Sequence, residues 1–72
     1  MPSSKKDNLV GKELNTREKE ILTLISAGNA YKEISQVIGI SLPTIKLYIR
    51  SAKEKLGTKN LGQTIAVFVS AR

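Results

Sequence analysis

Ser41-Leu42-Pro43-Thr44-Ile45-Lys46-Leu47-Tyr48-Ile49-Arg50-Ser51-Ala52-Lys53-Glu54-Lys55-Leu56 is the stretch on which the reading of this chain turns. Ile45, Ile49, Ala52 and Leu56 recur at spacings of four, three and four, which puts them on one face of an α-helix. Lys46, Arg50 and Lys53 recur at four and three, one residue further along, so a basic stripe runs beside the apolar one. Leu47 is apolar but points away from the stripe to be buried. Pro43 falls in the first turn, where it removes no intrahelical hydrogen bond. A helix over 42–56 with a core face and a basic outer face suits the width and charge of the DNA major groove.

Working back from this helix, Gly39-Ile40-Ser41 reads as a break. Gly39 stops a second helix over 29–38, Ile40 plugs the corner and Ser41 caps the helix that follows. In the second helix Ile34, Val37 and Ile38 are expected to face inward. Either Asn29 caps it or Ala30 is its first non-helical residue. Tyr31 is placed at the edge of the core in preference to a phosphate contact. Upstream, Asn15 is an N-cap and Glu18, three residues on, completes a capping box, with Leu14 stapling onto the first helix. Ile21, Leu22, Leu24 and Ile25 give that helix its apolar face. Ala27-Gly28 ends it, with Gly28 as a left-handed C-cap. A short helix, a tight glycine turn and a longer basic helix make a helix-turn-helix pattern.

Downstream, Gly57 ends the third helix and Thr58-Lys59 crosses to Asn60, which caps a fourth helix over 61–71. Gln63 again stands at capping-box spacing. Ile65 to Val69 are five consecutive apolar residues and cover more than one side of that helix. One side can fill the core; the other needs a partner. Ile65, Val67, Phe68 and Ala71 are the expected homodimer interface, because two-fold dimers are the commonest oligomers. The alternative is packing on a domain outside this chain. Residues 1–13 read as a polar tail or linker, and 14–72 as the domain.

Composition narrows the function. With 72 residues, this is one small domain. A domain of this size buries only about 60% of its unfolded-chain surface. There is no cysteine and no histidine, and Asp7 is the single aspartate. The commonest metal ligand and general base are therefore absent, and the glutamates stand at spacings that suit surface pairs. The expectation is no enzyme, no metal and no cofactor. Twelve Lys and Arg against six Asp and Glu give a net charge of +6, which favours a polyanionic partner. No apolar run approaches the roughly 18 residues of a membrane span, and the N-terminus lacks the apolar core of a signal peptide. The expected location is the cytoplasm, at the nucleoid in a bacterium.

Residues 14–71 resemble the DNA-binding domain of the LuxR family, also called GerE or NarL. Leu14-Asn15-Thr16-Arg17-Glu18-Lys19-Glu20-Ile21-Leu22 is similar to that family's Leu-Thr-x-Arg-Glu-x-Glu-x-Leu opening. Lys32-Glu33-Ile34-Ser35 is similar to its Lys-Glu-Ile-Ala, Gly39-Ile40-Ser41 to its turn, Thr44-Ile45-Lys46 to its Thr-Val-Lys and Lys55-Leu56-Gly57 to its Lys-Leu-Gly. The matches fall in order and at the expected spacings. The resemblance implies an all-α four-helix bundle with its third helix in the major groove. It also implies a transcription regulator that works as a dimer on inverted repeats through the fourth helix. The position of Lys46 serves phosphate or base contact in that family, those of Leu47 and Arg50 read bases, and that of Thr44 touches phosphate. Tyr48 departs from the family's usual His or similar polar residue. Leu61 departs from Arg, Gln63-Thr64 from Glu-Ala, and Ala30 from a small capping Ser or Thr.

On these grounds Thr44, Lys46, Leu47, Arg50, Lys53, Lys32 and Lys59 are the expected DNA-binding residues. Arg50 is the candidate for guanine, Leu47 for a thymine methyl, and Lys32, Lys55 and Lys59 for flanking phosphates. The expected partners are double-stranded DNA, a second copy of the chain and RNA polymerase, with no membrane and no small molecule. The rival is a protein-interaction module that titrates another regulator through the fourth helix.

Overall fold

A computed structural model describes residues 11–71. Among them are four helices and no strand: α1 (Thr16–Ser26), α2 (Tyr31–Ile38), α3 (Leu42–Leu56) and α4 (Leu61–Ser70). The first ten residues, with Lys5 and Lys6 of the expected tail, lie outside the described residues, as does Arg72.

Local chemistry sets the ends of each helix. The Asn15 side chain accepts from the Glu18 N–H at 2.8 Å, and the Glu18 carboxylate accepts from the Asn15 N–H at 2.9 Å, which completes the capping box of α1. Ala27, not Gly28, is the C-cap residue; Gly28 is the next one, at φ +97. The Gly28 N–H bonds the Ile25 carbonyl and the Asn29 N–H that of Leu24, the paired bonds of a Schellman motif. Asn29 also donates from its side chain to the Leu24 carbonyl at 2.9 Å, so it closes α1, and Ala30 stands at the N-cap of α2. Ser41 caps α3, with Pro43 in its first turn, and Gly57 at φ +69 ends it. Asn60 caps α4, but Gln63 reaches back to the Lys59 N–H at 2.8 Å and not to that of Asn60. Ala71 is the C-cap residue of α4, so that helix ends at Ser70.

α1 and α3 form the centre. Each packs against α2 and α4 as well as on the other, and α2 and α4 do not touch. Ile21, Ile34, Ile45 and Ile49 make the core cluster, edged by Leu24, Ile25, Tyr31, Ile38, Ile40, Tyr48 and Leu61. Leu22 and Ala52 are also fully buried. Each large apolar side chain taken from water contributes about 1.5–3 kcal/mol. Tyr31 lies at the core edge, as its reading has it. Val37 does not face inward: it is 70% exposed. At about 100° per residue it lies on the far side of Ile34 from Ile38 and Tyr31, so a helix that buries those three turns Val37 outward. Among the described residues no helix is long and apolar enough to cross a membrane.

Candidate nucleic-acid interface

α3 is held along three of its sides, and the fourth is free. Ile45, Ile49 and Ala52 are buried against the other helices. On one flank Ser51 and Lys55 meet Glu18 of α1. The Ser51 hydroxyl donates to Glu18 Oε2 at 2.7 Å and Lys55 Nζ to Glu18 Oε1 at 2.8 Å. Glu18 is 1% exposed and the Lys55 side chain 13%. Lys55 is thus the half-buried ion-pair partner of a buried carboxylate and not the flanking phosphate contact that its charge suggested. It follows Lys46 by nine residues, about 180° around the helix, so one side chain faces α1 when the other faces solvent. Glu18 is likewise an internal carboxylate, not a member of a surface pair. Burial pushes its carboxyl up, but hydrogen bonds from Lys55, Ser51 and the Asn15 backbone, with the Lys55 charge, outweigh that and hold it below its ordinary value of 4.5.

The C-terminal end of α3 is tied to α4 by hydroxyls. Thr64 is fully buried and donates to the Asn60 carbonyl at 2.7 Å. That leaves the Thr58 hydroxyl to donate to Thr64 at 2.6 Å, a far shorter contact than its 3.5 Å to the Lys53 carbonyl. The Gly11 N–H bonds the Lys55 carbonyl at 2.9 Å, so the entering chain meets the same turn.

On the free side, Lys46, Arg50 and Lys53 border one shallow, open hollow with Ile49 and with Tyr31 of α2. Lys46 is exposed, Lys53 half-buried, and the Arg50 side chain 71% exposed. Arg50 Nε lies 3.9 Å from Glu54 Oε2, a loose surface pair that leaves the guanidinium free to exchange partners. Leu47, 62% exposed, stands on the outermost crest beside Arg50. Thr44 has its hydroxyl 2.9 Å from that of Ser41 and its N–H on the Ser41 Oγ at 3.3 Å, so it belongs to the cap of α3. Lys32, in the first turn of α2, and Lys59, between α3 and α4, are exposed but do not border the hollow. The structure therefore gathers Lys46, Arg50 and Lys53 around one hollow, and Lys32 and Lys59 are not among the residues that line it.

α4 exposes apolar side chains on two different sides. Val67 and Val69 are 38% and 46% exposed, and Ala66 and Ala71 are exposed. Ile65 and Phe68 are half-buried, and Phe68 with Ala71 borders a second hollow that Leu14 and Leu56 also line. Sequence reasoning missed the Glu18 tie and the buried Thr64. The spacing of Ser51 and Lys55 marks them as one helix flank, but only packing assigns that flank to α1. Among the described residues no group of His, Cys, Asp or Glu is placed to hold a metal ion.

Residues 12–68 match the family model of the bacterial regulatory proteins of the luxR family. Among curated proteins, the chain is 43% identical over 54 residues to the transcriptional activator protein CarR of Pectobacterium carotovorum subsp. carotovorum, covering 75% of this chain and 22% of that protein. It is 37% identical over 70 residues to the transcriptional activator protein EchR of Dickeya chrysanthemi, covering 93% of this chain and 28% of that one. It is 45% identical over 47 residues to the transcriptional regulatory protein DesR of Bacillus subtilis (strain 168), covering 65% of this chain and 24% of that one. The chain thus spans about a quarter of the length of these relatives. No solved structure matches it. Helix order, a basic helix held against three others and a family match over most of the chain agree: the chain belongs to the luxR family of bacterial regulatory proteins, as its helix-turn-helix DNA-binding domain.

Proposed function

We propose that the chain reads a specific sequence in double-stranded DNA by laying α3 in the major groove, and that it does so as a homodimer on an inverted repeat. The observation that carries this reading is the gathering of Lys46, Arg50 and Lys53 around one open hollow on the solvent side of α3. Lys46 and Lys53 neutralise phosphates and set orientation; Arg50 makes a two-pronged contact to guanine; Leu47 packs on a thymine methyl. Thr44, Lys32 and Lys59 add phosphate contacts at the flanks. A single module makes few contacts, so a second copy on the other half-site multiplies affinity. The exposed Val67 side of α4, with Ala71 beside it, supports that pairing, and Ile65 and Phe68 are half-buried on other sides of the helix. The names of CarR and EchR say activator, and by that likeness the bound dimer works together with RNA polymerase at chromosomal promoters.

The test is selection from a randomised duplex pool at two salt concentrations. Enrichment of an inverted repeat with constant spacing supports the whole reading. Binding that is salt-sensitive but unselective leaves only attraction to phosphate. No binding at low salt sinks the DNA reading and favours the alternative, in which the exposed apolar side of α4 pairs with another regulator and titrates it.

A further inference from the structure

Tyr31 belongs to two places at once. As the first residue of α2 it packs against the core cluster, and it also borders the hollow opposite Lys46, Arg50 and Lys53. Its hydroxyl makes no hydrogen bond to a described residue, and among those residues no buried side-chain oxygen or nitrogen lacks a partner. Tyr31 as a whole is half-buried, and it borders the hollow on the side of the three cations.

We propose that Tyr31 is a DNA-backbone contact whose hydroxyl donates to a phosphate oxygen where α2 crosses the strand beside the groove. The proposal rests on the DNA-binding reading above. Three cations around one hollow attract an anion, and the helix that precedes a recognition helix crosses the backbone. Lys46 and Arg50 are long, exposed and lose much rotamer freedom when they bind. Tyr31 has two side-chain torsions, and its ring is already held by the core, so little ordering remains. A rigid neutral donor at the seam of α2 and α3 fixes how deep α3 sits, which mobile lysines cannot do. Because the donor is uncharged, its bond to phosphate releases no counterion.

The experiment is Tyr31→Phe in the 72-residue chain, titrated by fluorescence anisotropy against a labelled random-sequence duplex over a series of salt concentrations, with thermal melts alongside. A hydrogen bond to a charged group predicts roughly tenfold weaker binding at every salt concentration. The slope of log affinity against log salt stays that of the parent chain, and so does the melting temperature. Lys46→Ala in the same titration lowers the slope by about one, the mark of a lost charge. Unchanged affinity of the phenylalanine variant overturns the proposal. So does a loss of affinity accompanied by a lower melting temperature, which would make the hydroxyl a part of the fold. Failure of the parent chain itself to bind at low salt removes the DNA reading beneath the proposal, and it appears before any variant is compared.

Discussion

At the scale of the residue, charge alone does not say what a side chain does. Lys46 and Lys55 lie on one helix, yet one faces solvent and the other is 2.8 Å from a buried carboxylate. Lys55→Ala leaves the Glu18 carboxylate without its cation while Ser51 and Asn15 still bond it, so a loss of about 1–3 kcal/mol is expected. Urea denaturation should show that loss directly; a variant of parental stability that binds DNA less well would return Lys55 to the interface. Glu18 also predicts a pH dependence. Its folded carboxyl titrates below 4.5, so its contribution is complete above that pH and is lost as pH falls through the lowered value. Melting temperature should drop on the acid side more steeply for the parent than for Glu18→Gln. Parallel curves would assign the acid loss to other groups. Arg50 is the reverse case, a cation with only a loose partner. Arg50→Ala should cost about 1–3 kcal/mol on the selected site and flatten the preference at one base position. An equal loss on every duplex would make it a phosphate contact.

At the scale of the element, α3 works because its neighbours hold it at both ends. Ser41 and Pro43 start it, Glu18 grips one flank, and the Thr58–Thr64–Asn60 hydroxyl chain fastens its exit to α4. Thr64→Val keeps the shape and leaves the Asn60 carbonyl its bond from the Thr64 N–H, but takes from the Thr58 hydroxyl its short acceptor, so a loss of about 1 kcal/mol is expected. Calorimetry measures it. If DNA affinity falls further than stability explains, the latch also positions α3. α2 shows how a helix resists reading by composition: Val37 and Ile38 are adjacent and equally apolar, and only Ile38 packs against the core.

At the scale of the whole molecule, two surfaces remain open, a basic one on α3 and an apolar one on α4. They lie on different helices, α3 and α4. Val67→Glu should leave the chain folded, because Val67 is already 38% exposed, and should keep it monomeric in sedimentation. A lowered melting temperature with the mass of the parent would assign Val67 to the core. With six positive charges in excess, binding to DNA should weaken steeply as salt rises.

The amino-acid sequence by itself determined what is periodic or local. The four helices, their caps, the glycine breaks and the two stripes of α3 follow from residue type and spacing, because hydrogen bonds to a helix end reach only a few residues. The Lys46–Arg50–Lys53 triplet was legible for the same reason. Tertiary structure decided which flank of each helix meets which neighbour. That choice buried Glu18 and Thr64, drew Lys55 onto Glu18, exposed Val37 and brought Tyr31 from another helix to the rim of the basic hollow. Periodicity along one helix repeats at every flank alike. The difference between flanks arises only when α1 and α3 pack, with Glu18 and Lys55 separated by 37 residues of chain.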